Sequence, residues 1–149
     1  TIRNTFFDGT VDADRVAVLA AYHEAGEVFT GDLPTPIKYF NPEIKQAYVA
    51  IEDFAKGRLQ RMLPQELQPS FQPLLFPQPA EQELWRIVKA ADKICAYLKC
   101  VEELKTGNQE FAKAERTIRQ ELDQFELPEV RYFMEHFASS FGLALDELN

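Results

Sequence analysis

Apolar residues return at every third or fourth position along nearly the whole chain and almost nowhere alternate, a pattern that predicts helices. Asp12 stands where an N-cap would, ahead of Val16, Leu19 and Ala20, with His23 and Glu27 on the same stripe and a stop near Thr30-Gly31. In Asp32-Leu33-Pro34-Thr35-Pro36 two prolines then fix the backbone and forbid continuing that helix. Asn41-Pro42-Glu43 predicts a new start, and the stripe Ile44, Tyr48, Ile51, Ala55, Leu59, Met62 carries that helix to Leu63. One short helix fits Pro64 to Phe71, after which Pro73, Pro77 and Pro79 predict an extended connection. A long helix is expected from Ala80 to Thr106, with Leu84, Ile87, Val88, Ala91, Ile94, Leu98 and Val101 facing inward. Gly107 ends it, and Asn108 caps a helix that buries Phe111, Ala114, Ile118, Leu122 and Phe125. Pro128 opens the last helix, with Val130, Phe133, Met134 and Phe137. Only Asn4 to Thr10 resembles a strand, and Asp8-Gly9 within it reads as a turn. The expectation is one all-α domain, 1–149, of five or six helices, without internal repeats.

Composition narrows the classes. A domain of 149 residues buries roughly 70% of its unfolded surface, enough for a core without disulfides or a structural metal. The longest apolar run, Val16 to Tyr22, is too short for a bilayer, and no basic and apolar leader opens the chain. Sixteen Lys and Arg against twenty-four Asp and Glu give a net charge of −8, which argues against a long nucleic-acid backbone as partner. A small phosphorylated ligand stays open if a metal supplies local positive charge. Cys95 and Cys100 lie five apart on one helix and point to different faces, so reduced thiols and a cytoplasmic location are expected.

Several polar residues stand where the stripes call for apolar ones. In His23-Glu24-Ala25-Gly26-Glu27, His23 and Glu27 are four apart and would lie one above the other, with Glu24 on the flank. An imidazole and two carboxylates within one turn can hold a divalent cation. Taken alone, the plainer reading, a helix end entering solvent with salt-bridging glutamates, carries more weight. Asp92 sits in one row with Val88 and Cys95 of the longest helix. It is either a boundary residue paired with Lys89 or Lys93, or a metal ligand arriving from a second helix. His-Glu-x-x-Glu departs from the helical zinc-peptidase signature, because Glu27 replaces the second histidine, so a peptidase is disfavoured. His136, near Tyr132, reads as a surface or boundary residue, and Trp85 as core.

Together these stretches resemble one family, the bacterial HD-domain 5′-deoxynucleotidases of the HD superfamily of metal-dependent phosphohydrolases. The resemblance is carried by Tyr22 to Val28, by Thr30-Gly31-Asp32-Leu33-Pro34-Thr35-Pro36-Ile37-Lys38-Tyr39-Phe40-Asn41, by Lys89 to Asp92 with Cys95 to Cys100, and by Tyr132 to Glu135. It implies an HD-like helical domain and a divalent cation (cobalt, manganese, zinc or similar) held by His23, Glu24 and Asp92. Glu24 stands where the family usually has aspartate. Glu27 is implied to assist proton transfer, and Asp32, Leu33, Pro34 and Thr35 to bind substrate, with Asp32 near the sugar and reacting phosphate. The family also has an earlier helix with a metal-binding histidine and an Arg-Trp pair, neither of which precedes Tyr22, so the sequence is expected to lack an N-terminal piece.

The implied activity is hydrolysis of deoxyribonucleoside 5′-monophosphates by metal-activated water. Two rivals are an HD-like domain acting on another nucleotide and a binding module with impaired turnover. No membrane or long nucleic-acid partner is expected. The aromatic run Tyr132 to Phe141 offers a homodimer face, although core is its plainer reading.

Overall fold

Caps and prolines divide the chain much as their local chemistry dictates. The computed structural model describes residues 1–38 and 40–143, and among them it contains helices and no strand. The helices are α1 (Ile2–Phe6), α2 (Ala13–Tyr22), α3 (Glu27–Thr30), α4 (Thr35–Lys38), α5 (Pro42–Met62), α6 (Gln68–Leu75), α7 (Gln82–Lys105), α8 (Ala112–Asp123) and α9 (Pro128–His136), with short 3₁₀ turns between some of them. The six that reach two turns or more, α2 and α5 to α9, are the expected ones, and the all-α reading holds. Asp12 accepts from the Arg15 N–H at 2.9 Å, Asn41 from Glu43 at 2.8 Å and Asn108 from Glu110 at 3.3 Å. Each cap satisfies an N–H that its helix would otherwise orphan, an effect of about 1 kcal/mol.

The contacts gather in two units, residues 12–89 and residues 1–11 with the chain from Ala90 on. In the first, Leu19, Trp85 and Val88 are buried together, with Val16, Ala20, Leu74 and Leu84 packed against them. α2 lies on α6, and α5 packs against α3, α4 and α6. Arg15 forks onto Glu81, Nε to Oε1 at 2.7 Å and Nη2 to Oε2 at 3.0 Å, tying the start of α2 to the turn before α7. In the second unit Cys100, Ala114, Ile118, Leu122, Leu127 and Val130 are buried. α1 packs on α9, where Phe6 stacks on Tyr132 at 4.7 Å and Arg3 faces the buried carboxylate of Glu129 at 3.7 Å. Cys95 is exposed and Cys100 buried, so the two thiols do face different ways.

Several expectations are corrected. Asn4 to Thr10 holds no strand: Asn4 lies in α1, its amide clasps both backbone groups of Val11, and Asp8 turns the chain with a positive φ of 52°. Pro73 lies inside α6 rather than in an extended connection, in a helix anchored by buried Leu75. Ala91 and Phe137 are exposed, while Ala90 and Ala138 take the buried positions beside them. On α5 the inward row runs through Tyr48, Glu52, Ala55 and Leu59, and Ile44, Ile51 and Met62 are exposed. Tyr48, Ala55 and Leu59 face inward as the stripe predicts, and Glu52 takes the inward place expected of Ile51.

Candidate active site

α2 ends at Tyr22, although the stripe predicts one helix as far as Thr30. The His23 ring supplies a local reason, because its Nδ1 lies 2.6 Å from the carbonyl of Ala20. A carbonyl only accepts, so Nδ1 carries the proton, and in the neutral ring Nε2 carries the lone pair. Beyond this point the backbone bonds close over three residues: Ala25 N–H to the Tyr22 carbonyl, Glu27 to Glu24, Val28 to Ala25. Three residues per turn set Glu24 and Glu27 in line, where an unbroken α-helix would set His23 over Glu27. The α-helical pitch on which the expected stacking of His23 on Glu27 rests is thus absent here. Nε2 of His23 lies 3.6 Å from Oε1 of Glu24, with the histidine side chain the more buried of the two.

Gly26 lets this turn press on α5. A Cβ there would stand 2.9 Å from the Glu52 carbonyl oxygen and 3.3 Å from Cγ of Lys56. The close approach shapes the electrostatics of Glu27, whose Oε1 is buried with no hydrogen-bond partner among the described residues. Burial first, then the charges of Glu24 and Asp32, push its carboxyl up to about 7; Lys38 opposes them and Glu52 adds a little. Glu27 is therefore close to half protonated at neutral pH, the poise a group needs to give or take a proton. Glu52 is itself held above the ordinary carboxylate range by burial, with Lys38 and Lys56 opposing.

Thr30 and Gly31 lead into the expected substrate loop. Gly31 has φ +69°, a backbone hand that L side chains rarely adopt. Asp32 and Pro34 are exposed, Leu33 and Thr35 half-buried. The Pro34 carbonyl accepts from the N–H groups of Ile37 at 2.8 Å and Lys38 at 3.1 Å, which opens α4. Pro36 fits inside α4 because N–H groups in a first turn have no intrahelical partner to lose. Tyr39, part of the stretch that carried the resemblance, lies outside the described residues.

Within the unit of residues 12–89, His23, Glu24, Glu27 and Asp32 thus share one neighbourhood. Asp92 belongs to the other unit, half-buried on α7, where the adjacent Lys93 pairs with Glu121. His136 is exposed against the Tyr132 ring, as expected of a surface residue. Sequence reasoning missed Glu52, Lys38 and Tyr48 as parts of this neighbourhood. The row Tyr48-Glu52-Ala55-Leu59, at helical spacing with an acid in its middle, was the available signal.

A family model described as 5′-deoxynucleotidase YfbR-like matches residues 1–141. A 5′-deoxynucleotidase of Vibrio vulnificus (strain YJ016) is 51% identical over 148 residues, which cover 99% of this chain and 76% of the relative. A 5′-deoxynucleotidase of Vibrio cholerae (serotype O1, strain ATCC 39315 / El Tor Inaba N16961) is 51% identical with the same two shares. The 5′-deoxynucleotidase YfbR of Escherichia coli O1:K1 / APEC is 50% identical over 99% of this chain and 74% of its own length.

Proposed function

Because this chain belongs to the YfbR-like 5′-deoxynucleotidase family, we propose that it removes phosphate from deoxyribonucleoside 5′-monophosphates. The observation that carries this conclusion is the tight turn that sets His23, Glu24 and Glu27 directly ahead of the Gly31–Thr35 loop.

His23, Glu24 and Asp92 offer one imidazole nitrogen and two carboxylate oxygens, donors suited to a divalent cation such as cobalt, manganese or zinc. His23 fits that role, since the Ala20 carbonyl holds the proton on Nδ1 and leaves Nε2 as the donor. When bound, such a cation supplies positive charge for the phosphate, offsetting locally a chain of net charge −8. Glu27, half-buried and poised near neutrality, holds the proton that the leaving oxygen needs or takes one from the attacking water. Asp32, Leu33, Pro34 and Thr35 bind the nucleotide, with the exposed Asp32 carboxylate orienting the sugar. The exposure of Phe137 and Phe141, 45% each, supports a homodimer as part of the same reading.

The test is phosphate release from deoxynucleoside and ribonucleoside monophosphates by metal-stripped protein, before and after adding cobalt or manganese. Release from the deoxynucleotide only after loading is expected. Release from neither substrate with any divalent metal refutes the proposal. Asp92→Ala should lower the metal bound at equilibrium while leaving the helical circular dichroism unchanged; undiminished binding removes Asp92 from the ligand set.

A further inference from the structure

Tyr48 is the residue through which α5 reaches the loop that follows Gly31. Its hydroxyl donates to the Gly31 carbonyl oxygen and lies 3.2 Å from Oγ1 of Thr30. The Thr30 hydroxyl bonds the same carbonyl at 2.9 Å. Two hydroxyl protons thus converge on one carbonyl, which has two lone pairs to receive them. The Gly31 N–H, for its part, donates to the Glu27 carbonyl at 2.8 Å. The peptide groups on both sides of the Gly31 Cα are therefore held, one by α3 and the other by Tyr48 and Thr30. No side chain could brace this point directly, because φ there is +69° and nothing lies within 4 Å of where a Cβ would stand. The direction in which Asp32 leaves α3 is consequently set by bonds to the backbone, and among the described residues the one anchored outside residues 27–31 comes from Tyr48.

We propose that Tyr48 is a positioning residue for the reaction: its hydroxyl fixes the peptide after Gly31 and so aims the Asp32–Thr35 loop at the nucleotide. This rests on reading that loop as the nucleotide-binding segment. Tyr48 touches neither phosphate nor water in this scheme; it acts through the loop. Removing its hydroxyl should weaken binding while leaving the proton-handling group, Glu27, in place.

The test compares Tyr48→Phe with the unaltered protein, since phenylalanine keeps the ring and removes only the hydroxyl. KM for a deoxynucleoside monophosphate should rise about fivefold, as expected for one lost neutral hydrogen bond, with kcat within about twofold. The Gly31 amide should exchange with deuterium several-fold faster, and the metal bound should stay the same. Unchanged Gly31 exchange overturns the proposal, as does faster exchange with an unmoved KM, or a loss confined to kcat. Failure of the deoxynucleotidase reading shows itself separately, as absent turnover by the unaltered protein. It would remove the role assigned to Tyr48, while the exchange measurement would still reveal whether the hydroxyl holds the turn.

Discussion

Replacing Gly26 by alanine sets two opposing effects against each other. Gly26 has φ −59° and ψ −29°, ordinary right-handed geometry, so alanine's smaller loss of backbone freedom should stabilise by about 0.5–1 kcal/mol. Against that, the new Cβ would stand 2.9 Å from the carbonyl oxygen of Glu52, a backbone atom of a long helix that cannot swing aside. Restoring ordinary contact requires the turn to lift by about half an ångström, and overpacking of this kind typically costs about 1–3 kcal/mol. The clash wins. The net loss of about 1–2 kcal/mol corresponds to a fall in Tm of roughly 3–6 °C for a chain of this size. Gly57→Ala is the internal control, because its nearest neighbour is the flexible tip of Arg61 at 3.4 Å within the same helix. That variant should gain the propensity term alone, about 0.5–1 kcal/mol or roughly 1.5–3 °C. Calorimetry of both variants in one buffer decides the matter. If Gly26→Ala stabilised as Gly57→Ala does, the turn would not press on α5 as described.

Three further outcomes follow from the charges and thiols. The Glu27 carboxyl titrates in the folded protein at about 7, above its ordinary value of 4.5, so its contribution is intact below about 4.5 and is lost as pH rises through 7. Glu27→Gln should therefore gain on the unaltered protein between pH 5 and pH 8 in urea midpoint; parallel profiles would contradict its burial. Glu81 is held below the ordinary carboxylate range by its hydrogen bond to Arg15, so its contribution is present at neutral pH and lost as pH falls through the lowered value. Glu81→Gln should cost about 1 kcal/mol at pH 7 and progressively less in acid, since the pair is only partly buried. A thiol reagent should titrate Cys95 alone in the native protein, because Cys100 is buried and its thiol is pushed up to about 11, chiefly by burial. Two fast-reacting thiols would show that the α7–α8 core opens readily.

Much of the fold was legible because its signals are local. Asp12, Asn41 and Asn108 cap as their side chains dictate, and Pro42 and Pro128 stand first in the helices they open. Trp85, Ile118 and Leu122 are core for the plain reason that their stripes have one apolar side. What could not be read came from contacts distant in sequence or from competition for a single atom. The break after Tyr22 depends on the His23 ring taking the Ala20 carbonyl and on Gly26 meeting the backbone of α5. No periodicity announces either. The inward row of α5 is chosen by α3, α4 and α6, and it brings Glu52 inward beside the expected Tyr48, at the expense of Ile44 and Ile51. Glu27 was legible as a polar residue on an apolar stripe, and Asp32 only through the Gly-Asp-Leu-Pro-Thr-Pro string. Their shared electrostatics became visible once the turn was seen to follow a three-residue pitch.

Gly31 also bears on chemical synthesis of the protein. Its backbone has the opposite hand from that of the amino acids around it, one that suits a residue of D configuration. A D-alanine ligated at this one position would occupy the mirror image of ordinary extended geometry, and it would stiffen the unfolded chain without straining the backbone of the folded one. An enantiomeric building block, which would wreck almost any helix in this molecule, should here leave it firmer.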